Sequence, residues 1–249
     1  LMQLNIFSKL IITALSGVLL LSSCQKSFDK KLAADYYTGS GSTIQAFIGT
    51  VGASRNYVYV DGKPVNGSAL TTGNVFPATG YGYGVTSGLR NMMVRDTLST
   101  TTQPLLSFAQ NFEIGGNYTV FTYDTITAPK QKTVRTNVVI PNDTTCRVRF
   151  ANFAYNGLAL TPAVDIVSLG KNEVVATNLQ YTDVTEFVVH PTRIGTEAFQ
   201  VRLAGTSTVL ATSTISTLIP QRSYTVVYRG SHRATSGTSI RAVSVFLNY

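Results

Sequence analysis

Cysteine and histidine are the side chains best suited to nucleophilic, metal-binding or acid–base chemistry, and this sequence has two of each. His190 precedes Pro191 at the end of a predicted strand, and His232 lies in a loop rich in Gly, Ser and Thr. Neither belongs to a nucleophile motif such as Gly-x-Ser-x-Gly. Cys146 and the two histidines form no metal-ligand motif, and the acidic residues lie singly. The sequence therefore predicts no catalytic residue, no metal and no cofactor.

Cys24 follows a segment that is typical of protein export. Lys9 precedes an apolar run of twelve residues, Leu10–Leu21. This run is too short to span a bilayer, but it fits the apolar middle of a secretory signal. Two small residues, both serine, separate it from Cys24. A cysteine thiolate can be joined to a lipid by a thioether bond. Cleavage of the peptide bond directly before the cysteine needs small residues on its amino-terminal side.

The tetrad Leu21-Ser22-Ser23-Cys24 resembles the lipobox of bacterial lipoproteins. The resemblance implies a diacylglycerol on Cys24, removal of residues 1–23 as the signal peptide, and a fatty acid such as palmitate on the new amino terminus. The alternatives are an ordinary signal peptide with a chance cysteine, or a buried helix. Gln25 stands where aspartate often marks inner-membrane retention, so the resemblance favours the outer membrane. The periplasmic or surface face is left open.

Composition limits the partners of the remaining chain. Residues 24–42 are polar and end in Gly and Ser, which predicts a flexible lipidated tether. Beyond them the chain is rich in Thr, Val, Ser, Tyr and Gly, an all-β composition. The net charge of +8 invites a nucleic-acid partner, but the basic residues are scattered singly along predicted strands. We therefore expect no nucleic acid, and instead a membrane through the lipid, with a glycan or an envelope protein as further partner.

An internal duplication organises the chain. The segments that start at Ile44, Gly88, Asn117 and Val134 match those that start at Val148, Gly195, Ser223 and Ile240, at offsets of 104, 107, 106 and 106 residues. Four matches in the same order at nearly one offset predict two copies of one module. We place the first copy at residues 43–141 and the second at 142–249.

Each copy consists of short segments in which every second residue is apolar, as in Tyr224–Tyr228. This period predicts strands with one buried and one solvent-exposed face. Asp61-Gly62 predicts a two-residue hairpin turn in the first copy. The predicted strands of the second copy are 146–152, 163–169, 173–178, 184–190, 197–204, 208–217, 223–230 and 239–247. The spacing of the turns predicts an all-β fold of two tandem immunoglobulin-like β-sandwich domains in series.

Two resemblances support the sandwich prediction. Tyr118 and Tyr224 stand at the start of a penultimate strand, similar to the tyrosine corner of immunoglobulin-like sandwiches, where the hydroxyl binds the preceding loop. The second copy is also similar to the domain-of-unknown-function 4397 family, through Arg147–Phe153, Pro162–Val167, Ala176–Tyr181, Phe199–Arg202 and Ser223–Val227. That family implies exported bacterial modules, often in tandem, and brings no catalytic residues.

A non-catalytic binding or adhesion protein is the leading functional interpretation. The loop Gly80–Gly84 carries Tyr81 and Tyr83 between glycines, and exposed tyrosines could stack on a sugar or a peptide. The alternative for these tyrosines is local packing, and the lack of tryptophan weakens the sugar hypothesis. A structural or complex-forming envelope protein with spacer domains is the rival function. A hydrolase, with carboxylates that meet only in space, is a remote alternative.

Overall fold

The alternating apolar residues form β-strands in the computed structural model of the protein. The structure describes residues 40–80, 82–138, 140–157, 161–192, 195–214, 216–237 and 239–248. Residues 41–249 form one compact unit. Cys24, the predicted signal peptide and most of the predicted tether lie outside the described residues. No helix in the described ranges is long and apolar enough to cross a membrane.

The first half of the unit contains two sheets in which most neighbouring strands are antiparallel. Its strands are β1 Gly41–Ile48, β2 Asn56–Val60, β3 Lys63–Pro64, β4 Val75–Phe76, β5 Tyr83–Thr86, β6 Gly88–Asp96, β7 Leu106–Phe112, β8 Asn117–Tyr123 and β9 Lys130–Arg135. One sheet has the order β4-β1-β8-β9, with β5 also paired to β1. The other has the order β3-β2-β6-β7. β1 begins at Gly41, two residues inside the predicted tether.

The second half repeats this arrangement. Its strands are β10 Thr145–Asn152, β11 Val164–Ser168, β12 Glu173–Leu179, β13 Val188–Pro191, β14 Phe199–Leu203, β15 Val209–Thr212, β16 Ser223–Arg229 and β17 Ala242–Leu247. They form sheets in the orders β13-β10-β16-β17 and β12-β11-β14-β15. All eight strands predicted for this copy are present, which confirms the all-β sandwich prediction.

Each pair of sheets encloses its own apolar core. Ile44 of β1, Val58 of β2, Met92 of β6 and Val120 of β8 are at most 1% exposed and pack together in the first half. The second half has a matching core, built from Cys146, Val148, Phe150, Val164, Ile166, Phe199, Val201 and Val226. Burial of each such side chain stabilises the fold by about 1.5–3 kcal/mol. The boundary between residues 141 and 142 stays a prediction, although described strands pair only within each half.

Strand pairing identifies which residues of the two copies are equivalent. Ile44 pairs with Tyr118 and Val148 with Tyr224, both in parallel, which confirms the offsets of 104 and 106. The fourth matched pair of segments is wrong. Thr119 pairs with Val134, whereas Thr225 pairs with Phe246, so the equivalent of Val134 is Phe246 and not Ile240. The reason is a longer connection between β16 and β17 than between β8 and β9.

The tyrosine corner is confirmed in both copies. The Tyr118 hydroxyl accepts a hydrogen bond of 2.9 Å from the backbone N–H of Glu113, and the Tyr224 hydroxyl accepts one of 3.0 Å from Ile219. The strand order is nevertheless particular to this fold. The first strand of each copy pairs in parallel with the penultimate strand, whereas in immunoglobulin constant domains it pairs with the second strand.

The two sandwiches pack against each other through the outward faces of two sheets, the one containing β1 and β8 and the one containing β10 and β16. The Phe47 ring stacks on that of Phe246 at 5.5 Å, and the Phe121 ring stacks on that of Phe153 at 4.7 Å. These rings belong to one buried apolar cluster, separate from the two cores. The expectation of sandwiches arranged in series is therefore wrong, because this face is covered by the neighbouring sandwich.

The same contact corrects the expectation that each strand has one face in solvent. In β16, Thr225 and Val227 point away from the core of their own sandwich, yet both are 0% exposed. β8 is buried on both faces in the same way, with Thr119 and Phe121 at 0%. Alternation alone cannot distinguish these strands from half-buried ones, since Thr and Phe are both common in strands.

Candidate functional site

The residues of the predicted tyrosine loop are only partly described. Tyr81 lies outside the described residues. Tyr83 is 39% exposed on β5, where it pairs with Ile44 of β1. Its ring centroid lies 6.0 Å from that of Phe76. Tyr83 is therefore both accessible and in contact with a neighbouring ring, so the ligand role of Tyr81 and Tyr83 stays a prediction.

His190 belongs to a buried polar cluster that the sequence did not reveal. Its Nε2 lies 2.7 Å from Oε2 of Glu197, and the Ser168 hydroxyl donates to the same oxygen at 2.6 Å. Oε1 of Glu197 accepts the backbone N–H groups of Gly170 at 3.0 Å and Ala198 at 2.9 Å. The three side chains are at most 2% exposed.

The order of these groups excludes a hydrolytic triad at this place. In a triad the histidine lies between the nucleophile and the carboxylate, so that it can remove the nucleophile's proton. Here Glu197 lies between Ser168 and His190, and the Ser168 proton points to a carboxylate. A substrate also could not reach side chains that are so fully buried. The cluster joins β11, β13 and the segment before β14, and its role is structural.

We predict that this cluster makes the protein less stable in acid. Burial holds the pKa of His190 below its ordinary 6.5. Burial alone would raise the pKa of Glu197, but hydrogen bonds from Ser168, Gly170 and His190 outweigh it and hold that pKa below 4.5. Both groups bind protons more weakly when folded, so the free energy of unfolding should fall as the pH drops below about 6.5, and again below about 4.5.

Denaturant titrations between pH 7.5 and pH 3.5 would measure this effect. Glu197→Gln should make the second, more acidic step smaller, because glutamine does not titrate, whereas Asp61 and Asp143, whose pKa values are also lowered by hydrogen bonds, still do. An unfolding free energy that stays constant or rises towards low pH in the wild type would contradict the prediction.

His232 and Cys146 are also enclosed. Nδ1 of His232 lies 3.1 Å from the Tyr228 hydroxyl, and burial lowers the pKa of His232. Cys146 is 0% exposed, and burial raises the pKa of its thiol to about 11, which keeps it protonated and unreactive. Within the ranges that the structure describes, no three His, Cys, Asp or Glu side chains are grouped to hold a metal ion.

A polar cleft lies beside the contact between the two sandwiches. Its cavity volume is about 10 Å³, far below the roughly 300–1,000 Å³ of small-molecule sites. Thr119 lines it and accepts a hydrogen bond of 2.8 Å from Nη2 of Arg149, whose Nε donates to Thr225 at 2.8 Å. Burial lowers the pKa of Arg149 to about 10, so the guanidinium stays charged at neutral pH. We assign this network to the contact between the sandwiches.

A partly exposed aromatic surface lies on the outward face of the β3-β2-β6-β7 sheet. Tyr57 and Tyr59 of β2 pair with Arg95 and Met93 of β6, on the side opposite the buried Val58 and Val94. The Arg95 guanidinium lies 4.9 Å from the centre of the Tyr59 ring, and Nη2 of Arg95 donates to the Tyr59 hydroxyl at 3.4 Å. We call Tyr57, Tyr59, Met93 and Arg95 the tyrosine face.

The equivalent face of the second sandwich has a different chemistry. The buried pair Ile166–Val201 of the second sandwich is equivalent to the buried pair Val58–Val94 of the first. With this match, the counterparts of Tyr57, Tyr59, Met93 and Arg95 are, in that order, Asp165, Val167, Gln200 and Arg202. Nε of Arg202 donates to Gln200 at 2.6 Å, and Asp165 accepts the backbone N–H groups of Asn178 and Gly205. The two copies therefore share a core and differ on this face, where only the first carries tyrosines.

The tyrosine face was missed in the sequence, although a signal was present. Tyr57 and Tyr59 alternate with Val58 and Val60, so a strand must place both rings on one face. The Asp61-Gly62 turn predicts only that this segment is one arm of a hairpin. The outward face of this sheet meets solvent because the second sandwich packs on the other sheet, the one that contains β1 and β8.

No protein-family model and no curated protein matches the chain. Among solved structures, the chain is similar to "putative polysaccharide binding proteins (DUF1812)" from Bacteroides thetaiotaomicron, with 14% sequence identity and a TM-score of 0.24. The match covers 83% of this chain and 95% of that one.

Proposed function

We propose that this protein is a non-catalytic binding protein that is anchored in the outer membrane through a lipid on Cys24, and that its tyrosine face binds a glycan. The observation that carries the proposal is the difference between the two copies. Tyr57 and Tyr59 occupy positions where the second copy has Asp165 and Val167. Both rings are partly exposed, whereas Val167 is buried, so only the first copy offers an aromatic surface here on which a ligand can stack.

The chemistry of the face suits a sugar. Tyrosine combines an apolar ring, which packs on the C–H face of a pyranose, with a hydroxyl that can bond to a sugar hydroxyl. Arg95 adds further donors beside Tyr59. The histidines and Cys146 are buried, which is consistent with binding without catalysis.

Tyr59→Ala should weaken glycan binding by about tenfold, roughly 1.4 kcal/mol. The measurement is a glycan array on the wild-type protein, followed by titration of the best ligand against each variant. Gln200→Ala is the matched control, because Gln200 holds the equivalent of the Met93 position in the second sandwich. Equal affinities of the wild type and Tyr59→Ala would contradict the proposed site.

Tyr81→Ala and Tyr83→Ala test the surface predicted from the Gly80–Gly84 loop. If only these two variants lose binding, the glycan site lies on that loop and not on the tyrosine face. If no glycan binds the wild type, the structural, complex-forming role becomes the better function.

A further inference from the structure

The free edges of the sheets differ in how well they are protected. An unpaired edge strand offers its backbone groups to other chains, and proteins usually block it with charge, proline, bulges or short length. β3 and β4 have two residues each, β13 ends at Pro191, and β9 carries Lys130, Lys132 and Arg135. β12 and β15 pair with irregular register. β5 has only four residues. Each of these edges carries one of the usual protections.

β17 is neutral, but the first sandwich covers it. Phe246 packs on Phe47, and the backbone oxygen of Leu247 accepts a hydrogen bond of 2.9 Å from Gln45. β7, with the sequence LSFAQNF, is the remaining edge in the described part of the chain. It is seven residues long, has no charge and no proline, and pairs with β6 in unbroken register from Leu106 to Phe112.

The core is open along β7. Leu106 and Phe108 point to the core side of the sheet but remain only half-buried, whereas their partners on β6, Val94 and Met92, are 1% and 0% exposed. Two large apolar residues beside this edge are strongly exposed. Leu89, which pairs with Asn111, is 70% exposed, and Leu105, directly before β7, is 54% exposed. A further strand on β7 would cover the accessible parts of Leu106 and Phe108, the half-buried apolar residues on the core side of this edge.

We propose that β7 pairs antiparallel with β7 of a second copy of this chain, centred on Ala109. In this register Leu106 opposes Phe112 of the other copy, and Phe108 opposes Gln110, so the core-facing residues stay on the core side. Ser107 opposes Asn111 on the outward side, and Ala109 opposes itself. Because the strand carries no charge, two copies meet without the like-charge repulsion that charged edges such as β9 would produce.

The pairing joins two four-stranded sheets into one sheet of eight strands. The two-fold axis is perpendicular to the sheet, so the outward faces of both copies lie on the same side. The dimer would thus present two tyrosine faces on one continuous surface, and a polymeric ligand could engage both. The pairing itself does not depend on the identity of the ligand, so a failure of glycan binding leaves it intact.

Cross-linking of the full chain in isolated membranes tests the register. Opposed residues of an antiparallel pair lie about 4.5–5.5 Å apart at Cα, within reach of a disulfide. Under mild oxidation, Ala109→Cys should give a disulfide-linked dimer on a non-reducing gel. Ser107→Cys and Asn111→Cys should each give no dimer alone and a mixed dimer when co-expressed. Thr177→Cys, an exposed position on the edge strand β12, is the matched control.

A charge substitution tests whether β7 drives association. Ala109→Lys places two ammonium groups opposite each other and should weaken the dimer by at least about tenfold, measured by sedimentation in detergent. Thr177→Lys should leave it unchanged. A monomeric wild type, a dimer that survives Ala109→Lys, or equal cross-linking of Thr177→Cys would each overturn the proposal. The first of these results would leave a strand from another protein as the occupant.

Discussion

Replacing Glu197 by alanine should lower the free energy of unfolding by about 3–5 kcal/mol, the cost of removing one partner from a buried charged network. The Glu197 carboxylate accepts hydrogen bonds from Ser168, Gly170, Ala198 and His190. Alanine leaves three buried donors, those of Ser168, Ala198 and His190, and the half-buried Gly170 N–H without this acceptor. Each buried donor without an acceptor costs about 1–3 kcal/mol before the structure relaxes. Equilibrium denaturation in urea at pH 7.5 would measure the loss.

Two further variants distinguish the stability lost with this hydrogen-bond network from the stability lost with any substitution of a glutamate. Glu197→Gln keeps the size of the side chain and one acceptor oxygen, so the loss should be smaller than for alanine. Glu113→Ala, which removes only an exposed ion pair with Arg135, should change stability by no more than about 1 kcal/mol. If Glu197→Ala is as stable as Glu113→Ala, the network does not hold β11, β13 and β14 together as described.

Replacing Cys24 by alanine should release the protein from the membrane completely. The proposed anchor depends on the thiol, because the lipid is attached as a thioether and alanine has no nucleophile. Each buried CH₂ of an acyl chain contributes about 0.8 kcal/mol, so several chains on one residue make attachment stable, and their loss leaves no comparable anchor. Fractionation of cells and labelling with a fatty acid would detect the change.

Cys146→Ala is the matched control for this experiment. Cys146 is 0% exposed in the core of the second sandwich and is not available for lipid attachment. We expect this variant to fractionate and label like the wild type. A Cys24→Ala protein that still takes up fatty acid and stays with the membrane would contradict the proposed anchor.

The contact between the sandwiches constrains what the molecule can do. The rings of Phe47, Phe121, Phe153 and Phe246 are buried where two sheets meet, so the two sandwiches pack directly against each other within the compact unit 41–249. This contact covers the outward face of one sheet in each sandwich. The outward face of the second sheet in each sandwich is not part of the contact. The tyrosine face and the open edge at β7 both belong to the free sheet of the first sandwich.

The strands, the repeat and the tyrosine corner could be predicted because each depends on short-range sequence. Period-two alternation specifies strands such as Tyr224–Tyr228 directly. A single hydrogen bond five residues back explains the position of Tyr118. The match of Val134 with Ile240 failed, because sequence similarity over a few apolar residues cannot locate the end of the longer β16–β17 connection.

The site depended on contacts that link distant residues. His190 and Glu197 were both visible in the sequence, but only folding brings Ser168 to the same carboxylate. The composition of the loop Gly80–Gly84 predicts a ligand surface there, whereas nothing in the composition around Tyr57 and Tyr59 distinguishes them from other strand residues. Their exposure follows from the position of the second sandwich, which covers the other sheet.

The sequence by itself determined the all-β class, the strands and the two copies, since local periodicity carries that information, and the lipid attachment at Cys24 stays a prediction from a short motif. The tertiary structure decided which faces of those strands are buried, since apolar alternation does not specify which partner covers a face. It also decided that β7 is the unprotected edge, because an edge exists only once strand order is set. The tyrosine face and the proposed dimer therefore depend on the fold, whereas Cys24 does not.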